Sequence, residues 1–175
     1  MKKLFTTILL IAAVLVANVA FAGYCDEYKA KYPNKVKIKT EQDLSGKMVT
    51  KEEYKLFNNA KGFTLSLRKS NDYQYAYIQL FYFGKFWRFY NQFTWGDGNT
   101  VNNLKLAYDP VRNVGKGHVT EIIEATINPT ELKKAIIVHA HSKQNAPEIM
   151  ISQTDPRWAE WKTALEDAER LMADK

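Results

Sequence analysis

The stretch that decides the fold is Tyr73-Gln74-Tyr75-Ala76-Tyr77-Ile78-Gln79-Leu80-Phe81-Tyr82-Phe83, followed by Gly84-Lys85 and Phe86-Trp87-Arg88-Phe89-Tyr90. Side chains alternate sides along a strand, so Tyr75, Tyr77, Gln79, Phe81 and Phe83 share one face and Ala76, Ile78, Leu80 and Tyr82 the other. Both sets carry large apolar groups, which predicts a strand covered on both faces. Gly84-Lys85 reads as a two-residue type II′ loop, because glycine at the first central position matches the twist of paired strands. The expectation is a hairpin that pairs 73–83 with 86–90.

Upstream, Phe63, Leu65 and Leu67 alternate with Thr64, Ser66 and Arg68, and a similar alternation runs from Gly46 to Phe57. The turn residues Asn58-Asn59-Ala60-Lys61-Gly62 separate the two. Lys35-Val36-Lys37-Ile38-Lys39 reads as a solvated strand face or edge, since edge lysines discourage further pairing. Downstream of a turn at Gly96-Asp97-Gly98-Asn99, a short strand is expected over 103–108, then a loop at Asp109-Pro110. Gly115-Lys116-Gly117 opens a long strand in which Glu121 and Glu124 fall on opposite faces, so only one of them can easily face solvent.

Asn128-Pro129-Thr130-Glu131 combines an N-cap residue, a proline at the first helical position and an acid in the first turn, and predicts a short helix over 129–136. Strands are expected at 137–141 and 148–153. Asp155-Pro156 repeats the helix-start device, and Trp158, Trp161, Leu165, Ala168, Leu171 and Met172 form one stripe at helical spacing, which predicts a terminal helix over 156–173. The fold class is therefore β-rich α+β: about seven or eight antiparallel strands forming a sandwich or open barrel, with a short helix and a C-terminal helix. A single twisted sheet packed on the last helix is the alternative.

Composition agrees with one globular domain. The chain has 175 residues, 46% of them hydrophobic and 13% aromatic, with 8 Gly, 5 Pro and one Cys. Disordered, collagen-like and disulfide-scaffold chains are excluded on these figures. Residues 1–22 combine Lys2 and Lys3, an apolar run from Leu4 to Val19 and the small-residue pattern Ala20-Phe21-Ala22, the reading of a cleavable secretory signal with the domain starting at Gly23. The run is too short for a uniform bilayer anchor. Tyr24 stands where a lipobox needs a small residue before Cys25, so no lipid anchor is expected. Removal of the leader takes away two lysines and no acid, leaving 23 bases against 19 acids. Without a run of like charges, that mild basicity does not point to nucleic acid. The expected location is periplasmic or secreted.

From Trp87 onward the chain resembles a set of small exported bacterial β-rich domains of uncharacterised function. The shared pattern is Trp87-Arg88-Phe89, Asp97-Gly98, Arg112-Asn113-Val114, Gly117-His118-Val119-Thr120-Glu121, a Pro-started helix at Pro129 to Ala135, and a final strand and helix from Ile149 to Leu171. What the resemblance implies is a β-rich domain, with no catalytic residues carried over.

Two constellations carry chemistry. Twelve aromatic residues lie between Tyr73 and Trp95, and Tyr75, Tyr77, Trp87, Tyr90 and Trp95 are the candidates for a platform that stacks on a ligand; the competing reading is a core ladder. His139-Ala140-His141 places two imidazoles on one strand face, with His118, Glu121 or Glu148 able to join only through folding. Zinc or copper suits such a pair, in a binding site or a hydrolytic one, and two histidines on a polar sheet face is the plainer alternative. Cys25, near a free terminus, is expected to form an intermolecular disulfide or to be capped. No nucleophile elbow, phosphate loop or His-Glu-x-x-His motif occurs. The functional expectation is a non-catalytic binding or accessory module whose partner is an envelope protein or glycan.

Overall fold

The structure is a computed structural model that describes residues 23–59, 61–143 and 148–174; the expected leader, 1–22, lies outside them. Among the described residues, ten strands form two antiparallel sheets. Strands β1 (Val36–Gln42), β2 (Met48–Asn58), β3 (Phe63–Lys69), β4 (Gln74–Gly84), β8 (His118–Ile127) and β7 (Val111–Gly115) make a six-stranded sheet in that order, curled into a half-barrel. Strands β10 (Ile149–Ser152), β9 (Ile137–Ser142), β5 (Tyr90–Gly96) and β6 (Val101–Leu104) make the second sheet. Helix α1 (Tyr24–Lys31) precedes β1, α2 (Pro129–Leu132) follows β8, and α3 (Trp158–Ala173) closes the chain.

The β-rich α+β class is thus as expected from the alternation. Register puts Leu65 opposite Ile78 and Ile78 opposite Ala125, so the even-numbered residues of β4 line the inside of the half-barrel. The amphipathic stripe of α3 lies in that concavity, with Trp161, Leu165, Ala168 and Leu171 buried. Trp161 meets Phe57 and Phe63 edge-on at 5.4 and 5.7 Å, and Phe63 meets Phe93 of the second sheet at 5.8 Å. These rings join the helix and both sheets in one core, each pair contributing about 0.5–1.5 kcal/mol beyond its buried area. Asn128 caps α2 by accepting from the Thr130 amide, as its sequence predicts, although the helix ends at Leu132. Helix α3 starts at Trp158, two residues later than read, because Asp155 turns its carboxylate back onto the Arg157 amide. The short strand expected over 103–108 lies at β6 instead, where Val101 pairs with Gly96.

The expected hairpin does not form. Strand β4 pairs with β3 and β8, and β5 belongs to the other sheet. The reason is Glu121, which is 1% exposed on the inner face of β8. Its carboxylate accepts from three successive backbone amides: Oε1 from Arg88 and from Phe89 at 3.0 Å, and Oε2 from Tyr90 at 3.0 Å. Three N–H groups converge on one carboxylate only because Phe89 adopts a left-handed conformation, φ 54°. Such a residue costs about 1–3 kcal/mol and persists where its surroundings over-determine it. Here the carbonyls of the same segment are held too: that of Arg88 by the Ser142 hydroxyl, that of Phe89 by the Lys143 amide at 3.2 Å, and that of Tyr90 by Arg112 at 3.2 Å. The chain leaves β4 and enters the second sheet through this clamp.

Both glutamates of β8 are buried, which corrects the expectation that one would face solvent. Glu124, on the outer face, lies 3.3 Å from Arg68 and 3.0 Å from the Gln79 amide, so its charge is partnered where it is covered.

Glu121→Ala is expected to lower stability by about 3 kcal/mol or more, since it leaves three amides without their acceptor and removes the carboxylate beside the Arg112 guanidinium. Urea unfolding monitored by tryptophan fluorescence measures this. A loss under about 1 kcal/mol, the worth of one ordinary hydrogen bond, would show that the clamp does not hold the sheets together.

Candidate functional site

The half-barrel opens at one end because β3 is shorter than β4. Pairing between them stops at Phe63 with Leu80, while β4 continues to Gly84 against β8 alone. Gly62 makes the abrupt stop possible: at φ 80° its carbonyl accepts from the Phe81 amide at 2.9 Å, and a Cβ there would meet the Phe81 carbonyl oxygen at 2.0 Å. No side chain fits that approach. Past this point a groove of about 890 Å³ runs between the end of β4 and the second sheet. Its lining includes Lys61, Phe81, Tyr82, Phe83, Arg88 and Glu148. Phe81 and Phe83 are 45% and 59% exposed, and Phe86, just beyond Gly84, is 70% exposed.

The five aromatics singled out from sequence distribute differently. Tyr77 and Tyr90 are buried, and Tyr75, Trp87 and Trp95 are half-buried. Tyr75 and Tyr77 belong to a polar network on the outer face of the six-stranded sheet. The Tyr77 hydroxyl donates to Glu53 at 2.5 Å, Arg68 donates to the Tyr75 hydroxyl at 3.1 Å, and the guanidinium lies 4.3 Å from the Tyr77 ring centre. Burial and the Glu53 hydrogen bond both hold the Tyr77 phenol above its usual range. Tyr90 packs in the core 5.7 Å from Tyr82, and Trp95 packs against the core from the second sheet. Only Tyr90 of the five lines the groove. The exposed rings there are phenylalanines, which the alternation had already placed on one face; the missing signal was the length of β3, fixed by Gly62.

The histidines also separate. His139 and His141 project together from the outer face of β9, with ring centres 3.9 Å apart. Glu148 stands one residue beyond the Ala140–Ile149 pair of β9 and β10, and its Oε2 lies 3.2 Å from His139 Nε2. Thr94, opposite His139 on β5, holds His141 through its hydroxyl, 2.7 Å from Nε2. Burial, then the neighbouring His141, push the His139 imidazole below its ordinary value, with Glu148 opposing. His118 lies on the six-stranded sheet, stacked 4.3 Å from Phe83, and Glu121 is committed to the amide clamp. Of the third ligands considered, Glu148 is the one brought to the pair.

Cys25 is not in a free terminus: it is in α1, 8% exposed, with its thiol 3.2 Å from Lys69 Nζ and 3.8 Å from the Leu171 carbonyl. A disulfide to a second copy would require α1 to leave the core. No helix among the described residues is long and apolar enough to cross a membrane. No protein-family model, curated protein or solved structure matches this chain.

Arg68→Ala is expected to lower stability by about 2 kcal/mol, less than the 3–5 of a fully buried pair, because Arg68 is 35% exposed while Glu124 is 3% exposed. Tyr75→Phe, which removes one half-covered hydrogen bond, should cost about 0.5–1 kcal/mol. Equal losses in thermal unfolding would mean that the network does not carry the buried charge.

Proposed function

We propose that this chain is an exported, non-catalytic binding module of the cell envelope, whose groove takes an extended segment of another envelope protein. The observation that carries the reading is the uncovered end of β4. Beyond Phe81, whose amide Gly62 engages, residues Tyr82 to Gly84 have a strand neighbour on one side only among the described residues, and the groove lies along the other. An extended peptide adds to such an edge through main-chain hydrogen bonds and gains specificity from pockets for alternate side chains. Phe81, Tyr82 and Phe83 supply apolar contact area, and Lys61 and Arg88 supply positive charge. Exposed phenylalanines at 45% and 59% are otherwise a liability on a monomer, which favours a surface that is covered in use.

Export rests on the reading of residues 1–22, and a periplasmic or secreted location follows from it. The mild basicity of the domain adds no argument for nucleic acid. Absence of a catalytic constellation in the sequence supports binding over turnover.

The test uses the domain from Gly23 onward as bait in envelope extract, beside a Phe83→Asp variant that places a charge on the groove floor without touching the core. Capture by the wild type of a protein that the variant fails to retain is the expected result. Equal capture by both, or no capture together with turnover in a broad hydrolase screen, would overturn the proposal.

A further inference from the structure

We propose that His139, His141 and Glu148 form a site for a divalent metal ion of the zinc and copper class. One donor atom from each residue lies within 4.8 Å of the donors of the other two, so modest side-chain rotation brings them to the roughly 3.4 Å spacing of a tetrahedral ion with bonds of about 2.0–2.2 Å. The register explains why. Residues i and i+2 of β9 point the same way, and antiparallel pairing with β10 sets Glu148 just past Ile149, beside the same face. Two imidazoles and one carboxylate are a donor set that leaves one tetrahedral position for water.

A second observation points to a ligand independently. Among the described residues, His139 Nε2 is shielded from solvent and has no hydrogen-bond partner, its 3.2 Å approach to Glu148 falling outside hydrogen-bond geometry. Buried polar atoms are ordinarily satisfied, because a covered donor or acceptor has lost its water and gained nothing in exchange. A metal ion held between that nitrogen and the carboxylate would satisfy both. The surroundings also suit the purpose. Thr94 anchors the His141 ring, as the ring nitrogen remote from a metal is usually anchored, and when its hydroxyl accepts the Nε2 proton the lone pair lies on Nδ1. Met150, directly opposite His139 on β10, places a thioether on the same face, within the preferences of copper.

Glu148 also lines the groove, but His139 and His141 do not, and neither Phe81 nor Phe83 is a donor, so the metal reading is tested without the peptide one. The experiment is calorimetric titration of the domain from Gly23 onward with zinc sulfate, and separately with copper sulfate. It is repeated in a Cys25→Ser background to remove the one thiol. The expected result is one ion per chain with Cys25→Ser unchanged, affinity lost in the His139→Ala, His141→Ala double variant, and a fall of about 10-fold or more in Glu148→Gln. Circular dichroism checks that the variants fold. Should the double variant fail to fold, Glu148→Gln decides, because its side chain is largely exposed. Metal should also raise the thermal midpoint of the wild type in a concentration-dependent way, as ligand bound to the native state must. Equal zinc and copper affinity in wild type and variants, or binding that disappears with Cys25→Ser, overturns the site.

Discussion

One carboxylate holds the two sheets in their relation to each other. Glu121 belongs to the six-stranded sheet, and the three amides it accepts belong to the segment that leads into the other. An ionised carboxylate buried at 1% exposure is tolerable only if its oxygens are fully engaged, and three N–H groups with a nearby guanidinium engage them. Stacking the two sheets therefore depends on a left-handed Phe89. Without it the amides diverge, and the carboxylate keeps only the Arg112 guanidinium, 3.6 Å away. Glycine would adopt that conformation more cheaply; the rings of Phe89 and Trp87, 6.1 Å apart, give the larger residue a neighbour.

The same clamp determines what the aromatic residues do. Because the chain leaves β4 at Gly84 rather than turning back on it, Tyr90 and Phe93 enter the second sheet and become core. The edge that a hairpin strand would have covered stays open, and Phe81 and Phe83 stay exposed beside it. The groove is thus a consequence of how Glu121 is satisfied, and binding is proposed at the place where local pairing was forgone.

Polar chemistry on the outer faces follows a parallel logic. Glu124 is covered yet ringed by Arg68, Gln79 and Tyr108, so its donors are fully supplied by the protein. Beside His139 the supply is short: the nitrogen is covered and its nearest oxygen is misaligned. Glu124 belongs to a closed network, whereas Glu148 lies beside a buried nitrogen, and that is where the metal ion is proposed.

Strand periodicity, turn residues and capping devices are local properties, and these the sequence determined by itself. The bounds of β3 match the alternating stretch from Phe63 to Lys69, Lys-rich β1 is an edge, Asn128 caps its helix, and the stripe of α3 is buried as its spacing requires. The same alternation sorted Phe81 and Phe83 onto one face and His139 and His141 onto another. What it could not determine is which strand lies beside which, because a two-residue glycine loop favours a hairpin only as far as nothing stronger competes for its amides. Glu121 is 31 to 33 residues from those amides, and Glu148 seven from His141, so both were invisible to a local reading. Only the tertiary structure decided that a distant carboxylate outweighs a local turn: three charge-assisted hydrogen bonds in a buried site exceed the preference of one loop.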